Sequence, residues 1–215
     1  MVSIVIDTLG AISYHYSMGP ETANQDGRHA RLEHHKAELV RALLVLIRET
    51  GDVPTADVLA ERAQVSRRTV FRLFDDRAAL LRAMFDLMYA ELLERFPFPD
   101  VSQLPFEDRI TGLVDHLASI YEYITPFRRV SERQRANESL IEKERGRIQE
   151  LYGNQIRAVF EGVTPRSAAS VASTEELLQL ITSFKVWDHL RTERKHSVAE
   201  SKSIVHDGLM LLAGR

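Results

Sequence analysis

A chain of 215 residues, 44% hydrophobic and 27% charged, has the composition of a soluble globular protein with room for one large or two modest domains. The absence of cysteine excludes disulfide frameworks, thiolate metal sites and cysteine nucleophiles. A formal charge of -3 argues against indiscriminate coating of nucleic acid, yet residues 28–82 carry eleven Lys+Arg against eight Asp+Glu, a local +3 that leaves -6 for the remainder. That asymmetry suits one module that meets phosphate, carried on a body that does not.

No apolar run approaches the roughly 18–20 residues needed to span a bilayer. Residues 1–10 lack the basic start and cleavage site of a signal peptide, so a cytoplasmic protein with no membrane partner is expected. Residues 1–27 read as a flexible extension. Val2, Ile4 and Ile6 alternate as a short strand does, and Gly19-Pro20 and Asp26-Gly27 then break the chain. An arm passing beside DNA is a second reading, with Arg28 and Arg31 as the basic residues at its end.

A first helix is predicted from about His29 to Thr50, with Leu39, Leu43, Leu46 and Ile47 on one face and Gly51 as its C-terminal stop. Two short helices joined by a tight turn follow between Thr55 and Phe74. Thr55 and Ser66 are their caps; Val58, Leu59 and Ala63 form the apolar side of the first. Thr69, Val70, Phe71 and Phe74 are expected to point inward from the second. Arg67, Arg68 and Arg72 project outward, and no acidic residue lies between Gln64 and Phe74. An apolar back with an all-basic front is what the second helix of a helix-turn-helix presents to a major groove, although a helical hairpin with a solvated basic face has the same pattern.

A fourth helix, capped by Asp76, is predicted over Arg77–Arg95 with Leu80, Leu81, Met84, Phe85, Met88 and Leu92 inward, and Phe96-Pro97-Phe98-Pro99 closes it. Beyond, everything still reads helical. One helix covers Phe106–Thr125, where Pro126 is expected to stop it, and a further one about Pro126–Gln134. A long one follows from Glu138 to Gly162, and residues 162–173 form a loop. Thr174–Lys195 and a last helix opened by the Ser197/Glu200 capping box complete the chain. Gly208 in mid-helix costs about 1 kcal/mol against alanine, which a closely approaching partner helix would explain.

The residues from the first helix through Leu80-Leu81 resemble the N-terminal region of TetR-family transcriptional regulators. The family's Ala-Gly-Val-Ser turn and Thr-x-Tyr-x-x-Phe helix match Ala63-Gln64-Val65-Ser66 and Thr69 to Phe74. Phe184 to Arg191, followed by the Ser197 helix, is similar to the last two helices that many members use to dimerise. The resemblance implies an all-α fold: residues 28–81 a three-helix helix-turn-helix domain, residues 82–215 a helical ligand-binding and dimerisation domain. It implies a repressor that binds double-stranded, palindromic operator DNA as a homodimer and is released by a small-molecule effector, with the fourth helix transmitting the change.

Within that reading Thr55 and Phe71 are candidate DNA-binding residues, Ser66, Thr69 and Arg77 candidate phosphate contacts, and Arg67, Arg68 and Arg72 candidate base contacts; Thr69 fits a half-buried helix position equally well. The departures are Gln64 in place of glycine, Phe71 in place of a phosphate-binding tyrosine, and Leu73 in place of histidine. They also fit a small-molecule-binding or interaction protein whose DNA-binding motif has degenerated. Tyr121, Tyr123, Phe127, Tyr152, Phe184 and Trp187 are candidate effector contacts, with His116 and Arg128 as polar anchors; aromatic residues at this spacing also fit a core. Nothing resembles a phosphate loop, His-Glu-x-x-His or Gly-x-Ser-x-Gly, so no enzyme activity, cofactor or metal is expected.

Overall fold

The computed structural model describes residues 2–6, 12–16, 23–133, 138–163 and 171–214. Two compact units divide the chain, residues 1–38 and 39–215. In the first, the alternating residues form an antiparallel hairpin, β1 (Val2–Ile6) with β2 (Ile12–Tyr16), in which Val2 lies opposite Tyr16 and Ile6 opposite Ile12. Helix α1 runs Ala23–Thr50, so Asp26-Gly27 does not break the chain but lies within a helix that starts six residues before the predicted His29. A single helical glycine costs only about 1 kcal/mol, less than twenty following residues of helix-compatible sequence supply. The Arg28 and Arg31 side chains lie outside the described residues.

The second unit is all-helical. On α1 the predicted face is buried: Leu39, Leu43 and Ile47 are fully enclosed and Leu46 nearly so, with Val40 and Leu44 beside them. Gly51 takes the left-handed conformation at φ 68° and its N–H donates to the Ile47 carbonyl, ending the helix as expected. Helices α2 (Ala56–Arg62) and α3 (Arg67–Leu73) form the hairpin, and α4 (Arg77–Arg95) starts where the Asp76 carboxylate accepts from Ala79 N–H.

The largest difference from expectation is α5, a single helix from Phe106 to Glu132 that continues through Pro126. Proline removes the bond that its own N–H would give to the Glu122 carbonyl, at a cost of about 3 kcal/mol in a helix interior. Phe127 and Val130, both beyond the proline, are buried on the stripe that Ile124 begins, and at about 1.5–3 kcal/mol for each side chain their burial offsets the loss. Helix α6 covers Glu138–Val159. Gln134, the expected end of the separate Pro126 helix, and residues 164–170 of the expected loop lie outside the described residues.

The predicted Thr174–Lys195 helix is two elements, α7 (Val171–Ile181) and α8 (Phe184–Asp188), with a π-helical turn from His189 to Glu193. The break comes at Thr182-Ser183. Thr182 Oγ1 donates back to the Leu178 carbonyl at 2.7 Å, while Ser183 Oγ accepts from Val186 N–H and caps α8. Helix α9 (Val198–Leu212) begins with the expected capping box, Glu200 N–H to Ser197 Oγ at 3.2 Å and Ser197 N–H to Glu200 Oε2 at 2.7 Å.

Within the chain, Gly208 packs beside another helix, α7. The neighbour it faces is Ile181 of the same chain: a Cβ at position 208 would lie 3.4 Å from Ile181 Cδ1 and 3.6 Å from Cγ2, ordinary van der Waals distances. Gly208→Ala should therefore stabilise the fold by about 0.5–1 kcal/mol through helix propensity. Urea denaturation at fixed protein concentration measures it, and a loss of stability would show that the site tolerates no methyl group.

Candidate nucleic-acid interface and helical body

The basic hairpin is built from local capping and a small apolar back. Thr55 Oγ1 accepts from Val58 N–H at 3.4 Å and opens α2. The turn passes through Gln64 at φ 54°, a left-handed conformation that glycine would adopt without strain. Ser66 Oγ then accepts from Thr69 N–H at 3.1 Å and lies 2.8 Å from Thr69 Oγ1. Both hydroxyls are thus engaged with each other. Thr69 is half-buried, the alternative position considered for it, although its partner is Ser66 rather than its own backbone.

The inward face is not quite the predicted one. Leu59 and Ala60 bury from α2 and Val70, Leu73 and Phe74 from the α3 segment, while Val58 and Phe71 are exposed, at 44% and 56%. Adjacent residues stand about 100° apart around a helix, so with Val70 and Leu73 at i and i+3 on the back, Phe71 falls toward the front, as Val58 does beside Leu59. Arg67, Arg68 and Arg72 are exposed on that front, as expected. Arg67 Nη1 lies 3.3 Å from Asp57 Oδ2 of α2, and its guanidinium carbon 5.5 Å from the Phe71 ring centre. Arg68 and Arg72 form no ion pair with any described residue. Arg77 is exposed at the start of α4, but the Asp76 carboxylate already caps that helix and adds negative charge where a phosphate would approach.

The candidate effector residues fall into three places. Tyr121, Tyr152, Phe184 and Trp187 form one aromatic cluster: Tyr121 stands edge-on to Tyr152 at 6.1 Å and to Phe184 at 5.6 Å, with Trp187 tilted at 6.2 Å. Arg128 joins it, its guanidinium 4.7 Å over the Phe184 ring. Burial pushes both tyrosine hydroxyls well above the usual phenol range, and Tyr121 donates to the Thr182 carbonyl at the α7–α8 break. At the cluster's edge Glu122 accepts from Arg191 Nε at 2.8 Å and from Trp187 Nε1 at 2.9 Å. The Arg191 bond, helped by Trp187, holds its carboxyl below the usual range.

Tyr123 and Phe127 lie in a second place, under Arg48 of α1, whose guanidinium is 4.4 Å and 5.0 Å from the two ring centres. Tyr123 donates to Glu91 of α4, which is also 3.9 Å from Arg48. His116 stands alone in the third, buried edge-on to Phe98 at 5.1 Å. Burial lowers its pKa to about 4 against the opposing Gln155 amide, and neither His116 Nε2 nor Gln155 Oε1 has a hydrogen-bond partner among the described residues. Sequence reasoning did not find Arg48, Glu91, Gln155 or Asp57, since each is a polar residue whose partner lies on another helix.

Two internal voids of about 10 Å³ border the rings, one beside Phe127 among Ile47, Met84 and Ile141, the other beside Tyr121 and Trp187. Each is about the size of one water molecule and is lined almost wholly by apolar side chains. No group of three metal-binding side chains occurs among the described residues, and none of their helices is long and apolar enough to cross a membrane.

No family model matches the chain, and no solved structure matches it. It is 29% identical over 91 residues to YdeS of Bacillus subtilis (strain 168), described as an uncharacterized HTH-type transcriptional regulator. The aligned stretch spans 42% of this chain and 42% of that relative's length.

Two predictions follow from the geometry. Gln64→Gly should raise stability by about 0.5–1 kcal/mol, because relief of the left-handed turn exceeds the added chain entropy; an unchanged or lower urea midpoint would show an unstrained turn. His116 has a folded-state pKa of about 4, below its ordinary 6.5, so the unfolded chain binds the proton more readily. Stability is fully present above the ordinary value and is lost as pH falls from there toward the folded one. His116→Leu should flatten that part of the stability–pH curve, measured by denaturant titration across the window.

Proposed function

We propose that the protein is a TetR-family transcriptional regulator, a repressor that binds palindromic operator DNA as a homodimer and is released by a small-molecule effector. The observation that carries this reading is α3: its back is fully used in packing, while three arginines and no acid stand on its exposed front. The similarity to an HTH-type regulator supports DNA-binding regulation as the general role. Binding, with no chemical step and no cofactor, is then the whole activity, and the cytoplasm is where it occurs.

Dimerisation through the C-terminal helices α7 to α9, the two helices read from the sequence, is supported by apolar side chains that the chain itself leaves uncovered. Leu177 and Leu180 on α7 are 40% and 57% exposed, Ile204 and Leu211 on α9 43% and 75%. A two-fold pairing there buries them and sets two reading helices against half-sites about 34 Å apart. Effector response is supported by the aromatic cluster with Arg128 at its edge. The void beside Tyr121 and Trp187 is about the size of one water molecule, so an effector that enters between these rings binds a more open conformation and shifts the population toward it.

A second reading, a binding protein with a degenerate helix-turn-helix, is favoured by Phe71, which has no hydroxyl, and by Leu73, which is buried; neither can bond a phosphate. Footprinting on DNA upstream of the protein's own gene, over a range of salt, separates the two. The first expects a protected palindrome that survives physiological salt, and the second only non-specific binding that vanishes there. Arg68→Ala should weaken operator binding about tenfold or more, the worth of one base contact, with melting temperature unchanged.

A further inference from the structure

Phe71 is a large apolar side chain for which the fold has no structural use. It is the only aromatic residue among the strongly exposed apolar side chains of the described residues. The back of α3 is already filled by Val70, Leu73 and Phe74, so the phenyl adds nothing to the core. Helical spacing surrounds it with cations: Arg67 four residues earlier, Arg68 three earlier and Arg72 next in sequence. Arg67 is drawn toward Asp57 on one side and lies over the ring on the other.

We propose that Phe71 is a specificity-determining residue that packs against the C5-methyl group of a thymine in the major groove of the operator half-site. The inference rests on the DNA-binding reading above. A phenyl ring cannot bond a phosphate oxygen, and its complement on the floor of a major groove is the thymine methyl, the one apolar group that base pairs present there. The arginines around it bring that ring to a phosphate-lined groove and make burial against another protein's apolar surface costly, since their charges would be desolvated with it.

The test begins with selection of binding sites by the full-length protein from a random duplex library. The selected half-site is then scanned by replacing each thymine singly with deoxyuridine, which removes only the methyl group. One position should lose affinity about fourfold per half-site, the worth of burying one methyl-sized group. Phe71→Ala should abolish that loss and relax base preference at the same position, while its melting temperature stays that of the wild type, because the ring is exposed. If every thymine tolerates the change, or if the loss persists in Phe71→Ala, the proposal is overturned while sequence-specific DNA binding stands. A pool in which no sequence is enriched overturns both.

Discussion

The passage of α5 through Pro126 is the constraint on which the rest of the helical unit depends. Ten residues before that proline, His116 faces Phe98; five before it, Tyr121 reaches Thr182; three after it, Arg129 donates to Thr192 Oγ1 at 2.8 Å and sits 3.3 Å from Asp188. At the end, Arg133 Nη2 donates to the Gly51 carbonyl at 2.7 Å. A helix ended at Pro126 would lose the last two contacts, and the buried Phe127 and Val130 with them. The penalty of the missing backbone bond is therefore offset by side chains on both sides of it.

The same helix ties the basic hairpin to the body. Gly51 closes α1 only a few residues before α2, and its carbonyl accepts from Arg133, the residue that ends α5. One turn earlier, the exposed Arg48 lies over the Tyr123 and Phe127 rings, with Glu91 of α4 joining the group. Cation–π contacts at exposed sites are worth about 0.5–1 kcal/mol, comparable with a surface ion pair. The end of α1, the middle of α4 and the second half of α5 thus share one polar and aromatic cluster, and the hairpin's position is set from both α4 and α5.

How far the chain could be read depended on whether the deciding force was local. The caps at Thr55, Ser66, Asp76 and Ser197 were legible because an N-cap bond spans two or three residues, and the glycine stop at Gly51 for the same reason. The buried stripes of α1 and α5 were legible from their period. Phe71 was not, because an apolar residue beside a buried one fits the inward face by period alone, and only the packing of Val70 and Leu73 assigns it to the front. The candidate effector set was legible as aromatic residues but not as a site: the structure divides it among three separate surroundings.

By itself the sequence determined an all-helical body, the helical hairpin with its strained Gln64 turn, and the uninterrupted positive charge on its second helix. These are consequences of capping, period and charge, all written within a few residues. Only the tertiary structure decided that Pro126 lies inside a helix and that the Thr182-Ser183 break divides another. It also decided that Ile181 is the neighbour of Gly208 and that Phe71 faces solvent among arginines. Each of those outcomes weighs a local preference of a few kcal/mol or less against burial by residues far away in sequence, and burial by distant partners leaves no trace in local spacing.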